Sequence, residues 1–182
     1  MATVPTPFSA TSGDKLSAAT WNTGVRDVFN WLLNGFPRVH AFDASGNSCA
    51  ITVGKLIVLD GESYDTDNMH DTVTNPSRVT FTTGGRYDVD VYVNMPAVGA
   101  YSQLDMHVRL NSGGSIAGGA AIRVQPFSDS IQAMPGCLFR FRRLFTAGDY
   151  IEVFIIQTSS ATRVTTALST ATRVLADYLS AT

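Results

Sequence analysis

Residues 87 to 95 read Tyr87-Asp88-Val89-Asp90-Val91-Tyr92-Val93-Asn94-Met95. Tyr87, Val89, Val91, Val93 and Met95 fall on one side of this alternation, Asp88, Asp90 and Tyr92 on the other. Successive side chains of a strand point to opposite faces, so the stretch reads as a strand with one dry and one wet face. Leu104, Met106, Val108 and Leu110 repeat the pattern against Asp105, His107 and Arg109. Asn111-Ser112-Gly113-Gly114 follows with residues that tolerate positive φ, so a hairpin turn is expected there. Further strands are expected at 39–42, 49–53, 56–60, 78–81, 121–124, 137–145, 150–157 and 173–179. About ten short strands separated by Gly, Pro, Asn and Asp describe a sandwich or barrel.

Composition agrees with an all-β reading. Two Glu and two Lys stand against twenty Thr and fifteen Gly, so surface-helix formers are replaced by strand and turn residues. With 182 residues and 45% apolar side chains, the chain is one ordinary domain able to bury its own core. Disorder is excluded, and with apolar runs no longer than four residues a spanning helix is excluded too. The net charge of −2 leaves no basic footprint for nucleic acid. Cys49 and Cys137 allow at most one bridge, too few for a disulfide scaffold. The first residues lack both a basic start and an apolar core segment, so no secretion signal is expected.

The chain divides into an extended arm (1–14), an amphipathic helix (15–36) and a β domain (37–182). Pro5, Pro7 and Gly13 among Thr, Ser and Ala mark the arm. Trp21, Val25, Val28 and Leu32 then follow helical spacing, with Phe29 widening the stripe. Ser17 is the expected N-cap, and Gly35 before Pro37 the expected left-handed stop. Such a helix either covers the domain's own core or anchors the chain on another protein. The second reading is preferred, with Trp21, Val25, Val28, Phe29, Trp31 and Leu32 as the docking residues.

Two strands carry apolar residues on both faces. Ile151, Val153 and Ile155 oppose Phe154 and Ile156; Phe139, Phe141 and Phe145 oppose Leu138, Arg140, Arg142 and Leu144. A sandwich has only one inner face per sheet, so the second apolar surface predicts a homo-oligomer. Phe139, Phe141, Phe145, Phe154 and Ile156 are the expected subunit-interface residues.

Three runs carry a resemblance. They are Tyr64-Asp-Thr-Asp-Asn-Met-His-Asp71, Asn75-Pro-Ser-Arg-Val-Thr-Phe-Thr-Thr-Gly-Gly-Arg-Tyr87 and Leu144-Phe-Thr-Ala-Gly-Asp-Tyr-Ile-Glu-Val153. In order and spacing they resemble the C1q/TNF-like jelly-roll domains of tailed-phage structural proteins. Val79, Gly85 and Tyr87 match that family's apolar, Gly and aromatic positions, although Val79 replaces the usual Phe and Thr82-Thr83 stand where Pro is common. Ala147-Gly148-Asp149 is its second signature. Residues 14 to 33 are similar to a segment found ahead of such domains, with 22–27 the recurrent part. The resemblance covers 38–182 and implies a two-sheet jelly roll and a homotrimer about a threefold axis. It also implies residence on the outer surface of the virion, as capsid decoration or as a tail or fibre component.

Chemistry is sparse. His40, His70 and His107 lie in unrelated segments without zinc-site spacing and read as surface or strand histidines. Gly113 to Gly118 lacks the spacing of a nucleophile elbow and reads as a turn. Asp60, Glu62, Asp65, Asp67 and Asp71 form the densest acidic stretch, but Met69 breaks a calcium-loop pattern and a solvated loop is expected. Arg140 and Arg142 share a face on which carboxylates of a neighbouring strand or subunit can pair with them. No enzyme activity, cofactor or metal is expected.

The expected partners are two further copies of the chain and the major capsid protein of a phage head, or tail proteins; neither nucleic acid nor membrane is among them. The alternative is a tail fibre or tip module that recognises a host glycan through loops at 94–102 or 125–136. A soluble C1q-like binding protein is a third reading, weakened by the missing secretion signal.

Overall fold

The computed structural model describes residues 15, 17–96, 101–113, 122–124, 136–159 and 161–181. The expected arm, residues 97–100 of the loop at 94–102 and residues 125–135 of the loop at 125–136 lie outside the described residues.

A helical rod occupies 18–35. It is built from α1 (Ala18–Trp21), a π-helical turn (Asn22–Arg26), α2 (Asp27–Asn30) and a second π-helical turn (Trp31–Gly35). Ser17 caps it as expected, its hydroxyl accepting the Thr20 N–H at 3.1 Å. The left-handed stop at Gly35 does not form. Gly35 is the last helical residue, and Phe36 is extended with φ −72° and ψ 139°. The residue before a proline is pushed out of the helical region, so Pro37 ends the rod from outside.

Two five-membered groups of strands face each other. The first sheet runs β4 (Gly61–Asp65), β1 (Arg38–Phe42), β12 (Arg173–Ser180), β6 (Gly85–Asn94) and β9 (Gly136–Phe145). The second runs β3 (Lys55–Leu56), β10 (Tyr150–Ser159), β7 (Tyr101–Leu110) and β8 (Ile122–Val124), with β5 (Arg78–Thr80) also paired to β10. A small ribbon joins β2 (Ser48–Cys49) to β11 (Arg163–Val164). All pairings between these strands are antiparallel.

The core is what the period-two pattern dictates. Tyr87, Val89, Val91 and Val93 of β6, with Val174 and Ala176 of β12, are buried against Leu104, Met106 and Val108 of β7 and Ile151, Val153 and Ile155 of β10. Phe81 ties the sheets together, stacked on Phe145 at 3.6 Å and edge-on to Tyr87 at 4.8 Å. Gly85, at φ +156°, sits where a Cβ would come within 2.8 Å of the Ser180 carbonyl oxygen. Gly148, at φ +94°, makes the turn into β10, where Asp149 accepts the Thr146 N–H at 2.8 Å. The turn after β7 forms with Asn111 and Ser112 both at positive φ, and Gly113 N–H donates to the Leu110 carbonyl at 2.9 Å.

Some expected strands are shorter or placed differently. Of the expected 49–53 and 56–60 only Cys49, in Ser48–Cys49, and Leu56, in Lys55–Leu56, belong to these strands, while Gly61–Asp65, expected as loop, is the edge strand β4. Its pairing with β1 makes it a strand, because Gly-Glu-Ser-Tyr-Asp has weak strand preference of its own.

Candidate functional site

Among the described residues, the helix presents a row of exposed apolar side chains. Trp21 is 50% exposed, Phe29 59%, Leu32 53% and Leu33 68%, with Val25 and Val28 half-buried between them. The π-helical turns contribute to that row. A turn closed by longer-range bonds holds more than 3.6 residues, so Trp21, Val25, Phe29 and Leu33, each four apart, stay near one line. Only Arg26 and Asp27 are charged along 17–35, and they pair with each other at 2.9 Å. The row is therefore apolar and electrically neutral.

Trp31 does not belong to this exposed set. Its indole packs edge-on against Tyr178 of β12 at 5.7 Å and joins the sandwich core, so it holds the helix to the domain rather than facing a partner. The expected interface residues divide similarly. Phe145 is fully buried within one chain, stacked on Phe81, and has no surface to offer a neighbour. Phe139 and Phe141 pair in register with Val91 and Val89 and therefore point inward; they are half-buried and stack on each other at 5.1 Å. Phe154 and Ile156 lie half-buried on the outer face of the second sheet.

The outer face of the first sheet is charged at its centre. Arg140 donates to Asp88 at 2.8 Å and approaches Asp90 at 3.2 Å, and Arg142 reaches Asp88 at 3.4 Å. This is the inter-strand ion pairing expected for the arginine cluster; Arg143 takes the opposite face. The hydrogen bond from Arg140 holds the Asp88 carboxyl below its ordinary range, while burial pushes Asp177, beside it on β12, upward. Leu138 and Leu144 flank the arginines, both exposed. At the other edge Arg38 lies over the rings of Phe36 and Tyr64, each at 5.1 Å.

The acidic stretch is not one solvated loop. Asp60 accepts the Ala44 N–H at 2.6 Å, Asp65 the His70 N–H at 2.8 Å, and Asp71 the Val73 and Thr74 N–H groups at 2.8 Å. Asp67 is buried and accepts the Thr82 hydroxyl at 2.5 Å. These carboxylates fasten backbone, and among the described residues no three His, Cys, Asp or Glu side chains converge as metal ligands. His40 and His107 are strand residues as expected, but His70 is buried. Its Nε2 donates to the Leu59 carbonyl at 2.8 Å, and burial lowers its pKa. Cys49 and Cys137 are free and buried, and burial raises both thiols to about 11.

No protein-family model matches the chain, and no curated protein matches it. Solved structures do. Murine APRIL at pH 5.0 aligns with a TM-score of 0.56 at 14% identity, over 79% of this chain and 99% of that one. The globular domain of zebrafish complement 1qA aligns at 0.51 and 10%, over 80% and 99%. Eiger TNF from S. frugiperda aligns at 0.53 and 13%, over 81% and 95%. The chain has the C1q/TNF jelly-roll fold.

Proposed function

We propose that this chain is a non-enzymatic structural subunit of a phage virion: a homotrimeric jelly roll that decorates the head and docks on the major capsid protein. The arm and helix attach it, and the sandwich projects from the outer surface of the particle. The observation that carries this reading is the exposed row of Trp21, Phe29, Leu32 and Leu33 on a helix already fastened to a closed sandwich through Trp31. Apolar anchors of this size dominate protein interfaces when a groove receives them. The outer face of the first sheet, with Leu138 and Leu144 beside paired charges, is the surface through which copies associate. The resemblance of residues 38–182 to phage jelly rolls supports the virion context.

Gold-labelled antibody against the chain, viewed on intact particles by electron microscopy, tests the location. Label spread over the head is expected. Label confined to the tail would replace decoration by the fibre or tip reading. Removing residues 1–35 should abolish attachment and leave the trimer folded; undiminished occupancy would contradict docking through the helix.

A further inference from the structure

His70 and Glu62 approach each other at a distance that neither a direct hydrogen bond nor a bridging water explains. The His70 side chain is fully buried, and its Nε2 lies 2.8 Å from the Leu59 carbonyl. A carbonyl only accepts, so Nε2 carries the hydrogen of the neutral ring and Nδ1 is a bare lone pair. Among the described residues Nδ1 has no hydrogen-bond partner, and Glu62 Oε1, itself an acceptor, stands 3.8 Å away. A direct hydrogen bond would bring the two atoms to about 2.7–3.2 Å, and a water bonded to both would hold them about 4.5 Å apart. Two ligands of one metal ion, each about 2.1 Å from it at a tetrahedral or somewhat wider angle, stand about 3.4–3.8 Å apart. The spacing found here is the last of these.

The surroundings favour a cation. The charges of Asp65 and Asp71 bear on both His70 and Glu62, while Arg78, across the cleft that it lines with His70 and Asp71, is taken by Glu152 at 3.0 Å. Asp65 also fixes the position of His70 by accepting its backbone N–H at 2.8 Å. The bond from Nε2 to a backbone carbonyl is the support by which metal-ligating histidines hold their tautomer and ring orientation. Glu62 keeps 29% of its side chain exposed, which gives a hydrated ion a way in. An imidazole nitrogen beside a carboxylate suits Zn²⁺, Ni²⁺ or Cu²⁺, whereas Ca²⁺ and Mg²⁺ take oxygen ligands. We propose that His70 Nδ1 and the Glu62 carboxylate bind one divalent transition-metal ion such as Zn²⁺, with water completing its coordination. The ion would staple the edge strand β4 to the loop at 66–71. Among the described residues no set of three His, Cys, Asp or Glu side chains converges there, so the affinity is modest. The site is independent of docking through the helix, and its failure leaves that reading untouched.

The test is an NMR titration of the metal-free full chain at neutral pH with zinc chloride and, separately, with magnesium chloride. Zinc should shift the His70 Nδ1 ring-nitrogen signal and the amides of Glu62 and His70, and magnesium should shift neither. Loss of a group that merely supports a ligand already costs about tenfold to hundredfold in metal affinity, so loss of a ligand should cost at least tenfold. Glu62→Gln, an exchange of equal size at a partly exposed position, keeps the fold and should show that loss; His70→Gln should show it as well. His107→Gln, in the second sheet, should leave zinc binding unchanged. Absence of a zinc shift at His70 Nδ1, or wild-type affinity in Glu62→Gln, would overturn the site. Zinc shifts confined to His40 or His107 would show an adventitious ion only and overturn it too. An equal response to magnesium would overturn the assignment to a transition metal.

Discussion

Replacing Trp21 and Phe29 together by Ala separates docking from folding. Fully burying a large apolar side chain contributes about 1.5–3 kcal/mol relative to leaving it in water. Trp21 and Phe29 keep 50% and 59% of their surface exposed in the single chain, so about half of that contribution is still available to a partner. Each then gains about 0.8–1.5 kcal/mol on docking, and the pair about 1.5–3 kcal/mol, which corresponds to about a tenfold to hundredfold change in affinity. Folding should barely notice, because exposed substitutions usually change stability by no more than about 0.5 kcal/mol. The assay is co-sedimentation of the variant with particles stripped of this protein, in competition with the wild type, alongside thermal unfolding of the free variant. Unchanged competition would refute docking through this row. A large loss of thermal stability would show instead that the row belongs to the chain's own packing.

Phe145→Ala removes a ring stacked in the core and should cost about 3–5 kcal/mol, read as a shift in denaturant midpoint; a change below about 1 kcal/mol would place the ring at a surface. Asp88→Asn removes the acceptor shared by Arg140 and Arg142, yet both arginines are exposed, so the loss should stay near or below about 1 kcal/mol and shrink with salt. His70, buried with a lowered pKa, binds fewer protons folded than unfolded between its folded pKa and the ordinary histidine value, so stability falls as pH drops through that window. Thermal midpoints from neutral to mildly acidic pH should therefore fall less steeply in His70→Gln than in the wild type; equal slopes would count against burial of a neutral imidazole.

Strand pattern was legible where alternation was strict. Tyr87 to Asn94 shows its buried face in the sequence because apolar and charged residues do not mix on either side. β9 shows two faces but not which is inside: Phe139, Phe141 and Phe145 oppose Leu138 and Leu144, and only register against Val89 and Val91 decides. An interface drawn from Phe145 therefore failed on a contact with Phe81, sixty-four positions earlier in the chain. Trp31 misled for the same reason, since helical spacing assigns it no partner and Tyr178 is far away in sequence. β4 has weak intrinsic preference and becomes a strand by pairing with β1. The approach of His70 to Glu62 comes from the loop after β4, and no local spacing marks it.

The mass of the full chain in solution by gel filtration with light scattering tests most directly whether the closed sandwich is a subunit of a trimer. The account predicts a particle of about 58 kDa, three times 19.5 kDa, at micromolar concentration. A particle of 19.5 kDa would contradict it.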